Sequence, residues 1–226
     1  QIPNDFWVAM KDAGLIDKIG DWVLNHALQQ LAQWRAAGHD ALTMSINLSP
    51  IQFRNPDLAE RIVRIIAETG VAADSLVVEI TESALIQNID NAVAVVERLH
   101  DAGVHIALDD FGTGYSSLSY LKRFPIDMVK IDRSFLRDFP VDIHDTAIVN
   151  AVIAMAHSLG LRVVAEGVET DQQLQVLQNL NCDAIQGYLF SRPISREHAT
   201  ALLASPADIR RRVRGVTENG LVVGAA

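Results

Sequence analysis

Six stretches of the 226-residue chain combine an apolar run with a polar residue at its carboxyl end. The polar residues are Asn47, Glu79, Asp109 with Asp110, Lys130, Glu166 and Gln186. Four are carboxylates, Asn47 adds a neutral carbonyl, and Lys130 is the one cation among them. A single such residue reads as a structural group or a helix cap; six in succession, all at the same end, do not. Brought together, the carboxylates would repel one another and raise each other's pKa. Divalent cations resolve that repulsion, and an all-oxygen donor set favours Mg²⁺ or Mn²⁺. Zinc has little support, because the seven histidines form no HxH or HxxxH pair and Cys182 is the only cysteine. Lys130 offers a point charge for an anionic substrate or a developing oxyanion.

The elements that must position these residues are read from apolar periodicity. Strands are predicted over 43–48, 76–80, 104–108, 128–131, 162–165 and 184–187, each a nearly continuous apolar run of the kind buried on both faces. Helices are predicted over 4–37 with Gly14 interrupting, from Asn55 or Asp57 to Gly70, and over 91–102, 118–124, 146–159, 170–180 and about 195–205. Strand and helix alternate at βαβ spacing, giving six units. In a (β/α)₈ barrel the carboxyl strand ends converge on one mouth where chemistry is built.

Other features are less decisive. The loop from Asp109 to Ser117 contains Gly112-x-Gly114 but lacks the third glycine of a dinucleotide fingerprint. Its Asp110-Phe111-Gly112 has no kinase catalytic loop beside it. A flexible loop next to a metal site, able to reorder on binding or dimerisation, fits better. Glu82 either anchors that loop or caps the following helix. Cys182 reads as a small buried residue. The net charge of −9 argues against DNA binding, and no apolar run is long enough for a membrane span. Residues 1–205 read as one domain and 206–226 as a flexible tail, with Arg210, Arg211, Arg212 and Arg214 in a solvated segment. One thiol and no leader pattern suggest a reducing, cytoplasmic setting, as a free protein or as the cytoplasmic part of a larger one.

Taken with their spacing, Asn47-Leu48-Ser49, Glu79-Ile80-Thr81-Glu82-Ser83, Asp109 to Leu118, Lys130-Ile131-Asp132, Ala165-Glu166-Gly167-Val168-Glu169-Thr170 and Gln186-Gly187-Tyr188 closely resemble the EAL-domain family of bacterial phosphodiesterases specific for cyclic di-GMP. The resemblance runs from about Ile2 to Leu203. It implies an α/β fold, a TIM-like (β/α)₈ barrel whose first strand is antiparallel. It implies hydrolysis of cyclic di-GMP to linear pGpG with two Mg²⁺ or Mn²⁺ ions. By the same resemblance, Asn47, Glu79 and Asp109 hold one ion, while Asp109, Asp110 and Glu166 hold the other. Lys130 orients the attacking water, Glu169 and Gln186 support the site or touch substrate, and Glu82 anchors the loop. A homodimer and an upstream sensor or GGDEF-type domain are further implied partners.

The chain departs from the family at two points: it contains no Glu-Ala-Leu run, and Lys11 stands where the family often has an acidic residue. A (β/α)₈ barrel takes about 250 residues, so the six units are expected to lack the opening strands and to leave a strand edge that something must cover. Two other readings therefore stand beside the phosphodiesterase. One is an inactive cyclic di-GMP receptor or dimerisation module. The other is a Mg²⁺-dependent barrel enzyme using Lys130 as a base.

Overall fold

The computed structural model describes residues 15–87, 89–113, 123–205 and 223–224. Among them the strands are β1 (Met44–Leu48), β2 (Leu76–Thr81), β3 (His105–Phe111), β4 (Met128–Ile131), β5 (Arg162–Glu166), β6 (Ala184–Gln186) and β7 (Val223–Gly224). The helices are α1 (Ile16–Ala36), α2 (Leu58–Thr69), α3 (Glu82–Gln87), α4 (Ile89–Asp101), α5 (Ile143–Ser158), α6 (Asp171–Asn179) and α7 (Arg196–Leu203). The six predicted strands all form within a residue or three of their expected ends. α3 is an addition, too short to show a helical period. The predicted start of the first helix, Gly14, most of the predicted helix over 118–124 and the four tail arginines lie outside the described residues.

The strands form one sheet in the order β6-β5-β4-β3-β2-β1-β7, and every pairing among the described residues is parallel. The antiparallel first strand implied by the resemblance is not among them. Of the segment expected to be a tail, β7 lies along β1, Val223 opposite Met44 and Gly224 opposite Ser45.

The sheet is curled. α1 precedes β1 and α7 follows β6, near opposite ends of the strand order, yet Trp34 Nε1 of α1 donates to Thr200 Oγ1 of α7 at 2.9 Å. The outer face carries the main core, where Leu28, Leu31, Ile62, Leu76, Ile80, Leu99, Ile131 and Leu177 are fully buried between strands and helices. The inner face carries a separate small cluster of Val77, Ala107, Met128 and Val164, with Ala184 packed against it. A strand alternates its faces with period two. The residues of the inner cluster therefore fix the face taken by Glu79, Asp109, Lys130, Glu166 and Gln186, each of which stands two positions further along its strand. This is a partial TIM-like barrel, with an apolar floor inside and a polar layer directly above it.

The helices hold this geometry by local rules. α2 ends at Gly70 in the left-handed conformation, φ 68°, which glycine adopts without the Cβ penalty. Asp142 caps α5 by accepting from His144 N and Asp145 N. Thr170 and Gln173 form a reciprocal capping box at α6.

Candidate active site at the carboxyl ends of the strands

The register of the sheet delivers the site. Asn47 lies opposite Glu79, and Glu166 opposite Gln186. Asp109 requires an adjustment. Between Leu108 and Phe111, β3 uses three residues where β4 uses two, Val129 to Ile131. The extra residue is a bulge, which re-aims side chains at the rim of a sheet. At it, Asp110 takes φ 55°, a conformation that L residues other than Asn, Asp and Gly rarely adopt. The bulge leaves the consecutive residues Asp109 and Asp110 both partly exposed, where a regular strand would turn them to opposite faces.

Lys130 is the hub. Its Nζ lies 2.5 Å from Glu79 Oε2, 2.5 Å from Glu166 Oε1 and 3.2 Å from Asp109 Oδ1. The lysine side chain is 4% exposed, Glu79 6%, Asp109 13% and Glu166 19%. Burial alone would discharge Lys130, but the charges of Glu79, Glu166 and Asp109 outweigh it and raise its pKa. Paired with three carboxylates, Lys130 is held as a charged donor in this arrangement, which favours a charge-balancing role over that of a base.

The carboxylates are under strain of charge. Burial pushes Glu166 up, against the pull of Lys130. Asp110 is pushed up by burial and then by the charges of Asp109 and Asp132. Four carboxylates, Glu79, Asp109, Asp110 and Glu166, thus gather around Lys130, with Arg133 bearing on Asp110 from beside the cluster.

The same residues fit a metal centre on two counts. Asp109 Oδ1 is buried and makes no hydrogen bond; Lys130 is within ion-pair distance but lies outside hydrogen-bond geometry. An unsatisfied buried carboxylate oxygen is costly, and an oxygen-only donor set suits a hard divalent cation. As arranged, however, no three His, Cys, Asp or Glu side chains among the described residues converge as ligands, since Lys130 stands between the carboxylates.

The remaining expected residues fall into two groups. Gln186 is exposed at the end of β6, and Glu169 is exposed on the loop after β5. That loop is held by Gln173, whose Oε1 accepts from Glu169 N at 2.7 Å and Thr170 N at 3.0 Å while its Nε2 donates to the Leu136 carbonyl at 2.6 Å. Glu82 is the first residue of α3; residues 114–117 of the loop it was expected to anchor lie outside the described residues. Cys182 is mostly enclosed, and burial pushes its thiol up to about 12, so it is an inert thiol.

Two contributors were given no role in the sequence analysis. Asp132, the last residue of the Lys130-Ile131-Asp132 motif, bears electrostatically on Asp110; period two along the strand would have singled it out. Gln173 is signalled by the Thr170-x-x-Gln173 capping-box pattern.

Comparison with known proteins gives a single answer. The EAL domain profile matches residues 1–193. The chain is 45% identical over 191 residues to the cyclic di-GMP phosphodiesterase NbdA of Pseudomonas aeruginosa, covering 84% of this chain and 24% of that protein. It is 40% identical over 202 residues to the bifunctional diguanylate cyclase/cyclic di-GMP phosphodiesterase MucR of the same organism, covering 89% and 30%. Among solved structures, the PaMucR phosphodiesterase in complex with c-di-GMP superposes with a TM-score of 0.82 at 40% identity, over 87% of this chain and 80% of that one. The calcium/c-di-GMP complex of Klebsiella pneumoniae BlrP1 gives 0.71 at 34% identity, over 79% and 45%. The chain thus spans about a quarter to a third of these two curated relatives. With its strand-end carboxylates, its partial barrel and this match, the chain belongs to the EAL-domain family.

Proposed function

We propose that this domain hydrolyses one phosphodiester of cyclic di-GMP to linear pGpG with two Mg²⁺ or Mn²⁺ ions. The observation that carries the reading is the gathering of Glu79, Asp109 and Glu166 on one buried lysine at the carboxyl ends of neighbouring strands. Support for the substrate comes from family membership and from the c-di-GMP complexes of its structural neighbours.

Asn47, Glu79 and Asp109 would hold one cation, and Asp109, Asp110 and Glu166 the second. Once bound, such a pair supplies an activated water and offsets charge on the phosphoryl oxygens. The chain's own residues do the rest. Asp109 would belong to both sets of ligands, a role its unsatisfied Oδ1 fits. Lys130 would orient the attacking water and balance the anionic phosphoryl group. The inner apolar floor of Val77, Ala107, Met128 and Val164 keeps bulk water from the base of the site. Gln186 and Glu169, both exposed, would support the site or touch the nucleotide. The bifunctionality of MucR also supports a longer protein in which a cyclase-type domain accompanies this one.

One observation favours a second reading, a receptor that binds cyclic di-GMP without cutting it. Lys130 already stands between the three carboxylates in direct ion pairs, where a cation would otherwise sit. Chromatography of cyclic di-GMP incubated with the protein and Mg²⁺ decides. Appearance of pGpG supports the phosphodiesterase; saturable binding without product supports the receptor.

A further inference from the structure

Asn47 stands where its strand is held on a single side. β2 pairs with β1 from Met44 to Leu48, whereas β7 meets it only at Met44 and Ser45. Among the described residues no strand flanks Asn47 on its other side. The chain beyond it is fixed instead by Gln52. Its Oε1 accepts from Ser49 N at 3.0 Å and from Ser49 Oγ at 2.8 Å, and Ser49 Oγ accepts in turn from Gln52 N at 3.3 Å. A backbone N–H can only donate, so the amide must turn its oxygen toward Ser49. Phe53 N closes the turn on the Ser49 carbonyl at 3.3 Å.

This box is seated on the helices behind it. Gln52 is 7% exposed, and its amide end lies against α1 at Gly20, where a Cβ would meet Gln52 Cδ at 3.1 Å and Nε2 closer still. Glycine inside a helix costs about 1 kcal/mol relative to alanine, and here it admits the buried amide. Asn55 Nδ2 donates to Asp17 Oδ2 of α1 at 3.2 Å, and Asn91 Nδ2 of α4 donates to the Phe53 carbonyl at 2.5 Å. The turn is therefore clamped at both ends, while Asn47, two residues before Ser49, is exposed on the face it shares with Glu79. A buried glutamine is tolerated only when its polar atoms are used, and Gln52 spends its oxygen on the residue that sets where β1 ends.

We propose that Gln52 is a positioning residue for the metal centre: it holds Ser49, and through Ser49 it aims Asn47 at the cation that Asn47, Glu79 and Asp109 would share, with Gly20 as its seat. This rests on the two-metal reading above and names the residue that places the neutral ligand. Gln52 itself touches neither cation nor substrate. Removing a group that orients a metal ligand typically costs about 10–100-fold in metal affinity. Asn47 belongs to one of the two sets, so the loss falls on one cation and spares the one held by Asp109, Asp110 and Glu166.

The test is equilibrium Mn²⁺ binding, followed by the electron paramagnetic resonance signal of the free ion, beside turnover of cyclic di-GMP across a Mn²⁺ titration. Gln52→Met keeps the side-chain volume and loses both acceptor contacts; it should weaken one of two Mn²⁺ sites about 10-fold or more. Saturating Mn²⁺ should then return kcat to within about threefold of wild type with KM for cyclic di-GMP unchanged. Ser49→Ala removes only the hydroxyl half of the box and should weaken the same site about 2- to 12-fold, the worth of one hydrogen bond. Gln52→Glu keeps the acceptor oxygen and should hold that site close to wild type. Trp34→Phe, which loses the hydrogen bond to Thr200 away from the site, controls for stability alone: it should melt lower and bind both ions as wild type does. Wild-type Mn²⁺ affinities in both Gln52→Met and Ser49→Ala, equal weakening of both sites, or the same weakening in Trp34→Phe would overturn the positioning role and leave the phosphodiesterase standing. A wild-type protein that binds no Mn²⁺ and yields no pGpG would overturn both.

Discussion

Replacing Lys130 by Met tests whether the site is an electrostatic cluster held together by one buried cation. Met is an unbranched side chain of similar volume, so packing changes little. What changes is the charge. Glu79, Asp109 and Glu166, with side chains 6%, 13% and 19% exposed, lose the ammonium at 2.5 to 3.2 Å and face one another. Removing one partner of a buried ion pair costs about 3–5 kcal/mol, because the remaining charge is left uncompensated. For a chain of this size 1 kcal/mol shifts Tm by about 2–4 °C, so in chelator at pH 7.5 the variant should melt roughly 6–20 °C below wild type. The effect also depends on pH and on metal. Lys130 has a raised pKa, so its contribution is complete below the ordinary lysine value of 10.5 and is lost only at higher pH; the gap to wild type is therefore present at neutral pH. Glu166 is also raised, so its ionisation works against folding as pH climbs past its ordinary value of 4.5, and the gap should narrow as pH falls toward that value. Millimolar Mg²⁺ should recover more stability in the variant than in wild type, since the cation takes over the work of the lysine. Differential scanning calorimetry measures all three. A variant that melts within about 1 °C of wild type in chelator would show that the cluster does not depend on Lys130.

Two further substitutions separate fold from chemistry. Asp110→Asn should raise stability in chelator by up to about 1 kcal/mol, because Asn tolerates φ 55° and the repulsion by Asp109 and Asp132 disappears; chemical denaturation measures the gain, and Mg²⁺-dependent turnover should be lost in the same protein. Gln173→Ala leaves the Leu136 carbonyl and the Glu169 amide without their partner, so it should cost about 1–3 kcal/mol by urea unfolding and speed hydrogen exchange at Glu169 and Thr170.

How far these features are legible in the sequence depends on their range. Strand ends are readable because runs such as Met128-Val129-Lys130-Ile131 break their apolar pattern at one residue. Period two then places Lys130 above Met128 on the inner face. The bulge at Asp109-Asp110 is not readable. It is a mismatch in length between β3 and β4, and nothing local to either strand announces it. The hub role of Lys130 is hidden for a similar reason. Its partners come from β2, β3 and β5, between 21 and 51 residues away in sequence, and only the strand order sets it among them. Helix α3 escapes notice because six residues are too few to carry a hydrophobic period. Gln52 follows the Asn47-Leu48-Ser49 motif, but its seat against Gly20 emerges only from the packing of α1 on the turn.

In the two-metal reading proposed above, Asp109 would serve both sets of oxygen ligands and so would make this site hydrolytic. The decisive measurement is chromatographic detection of pGpG from cyclic di-GMP and Mg²⁺, with the wild-type protein and Asp109→Asn side by side and circular dichroism confirming that both fold. Wild type should yield pGpG, and Asp109→Asn none above background. Product from Asp109→Asn at a rate near wild type would rule out a shared ligand at this position.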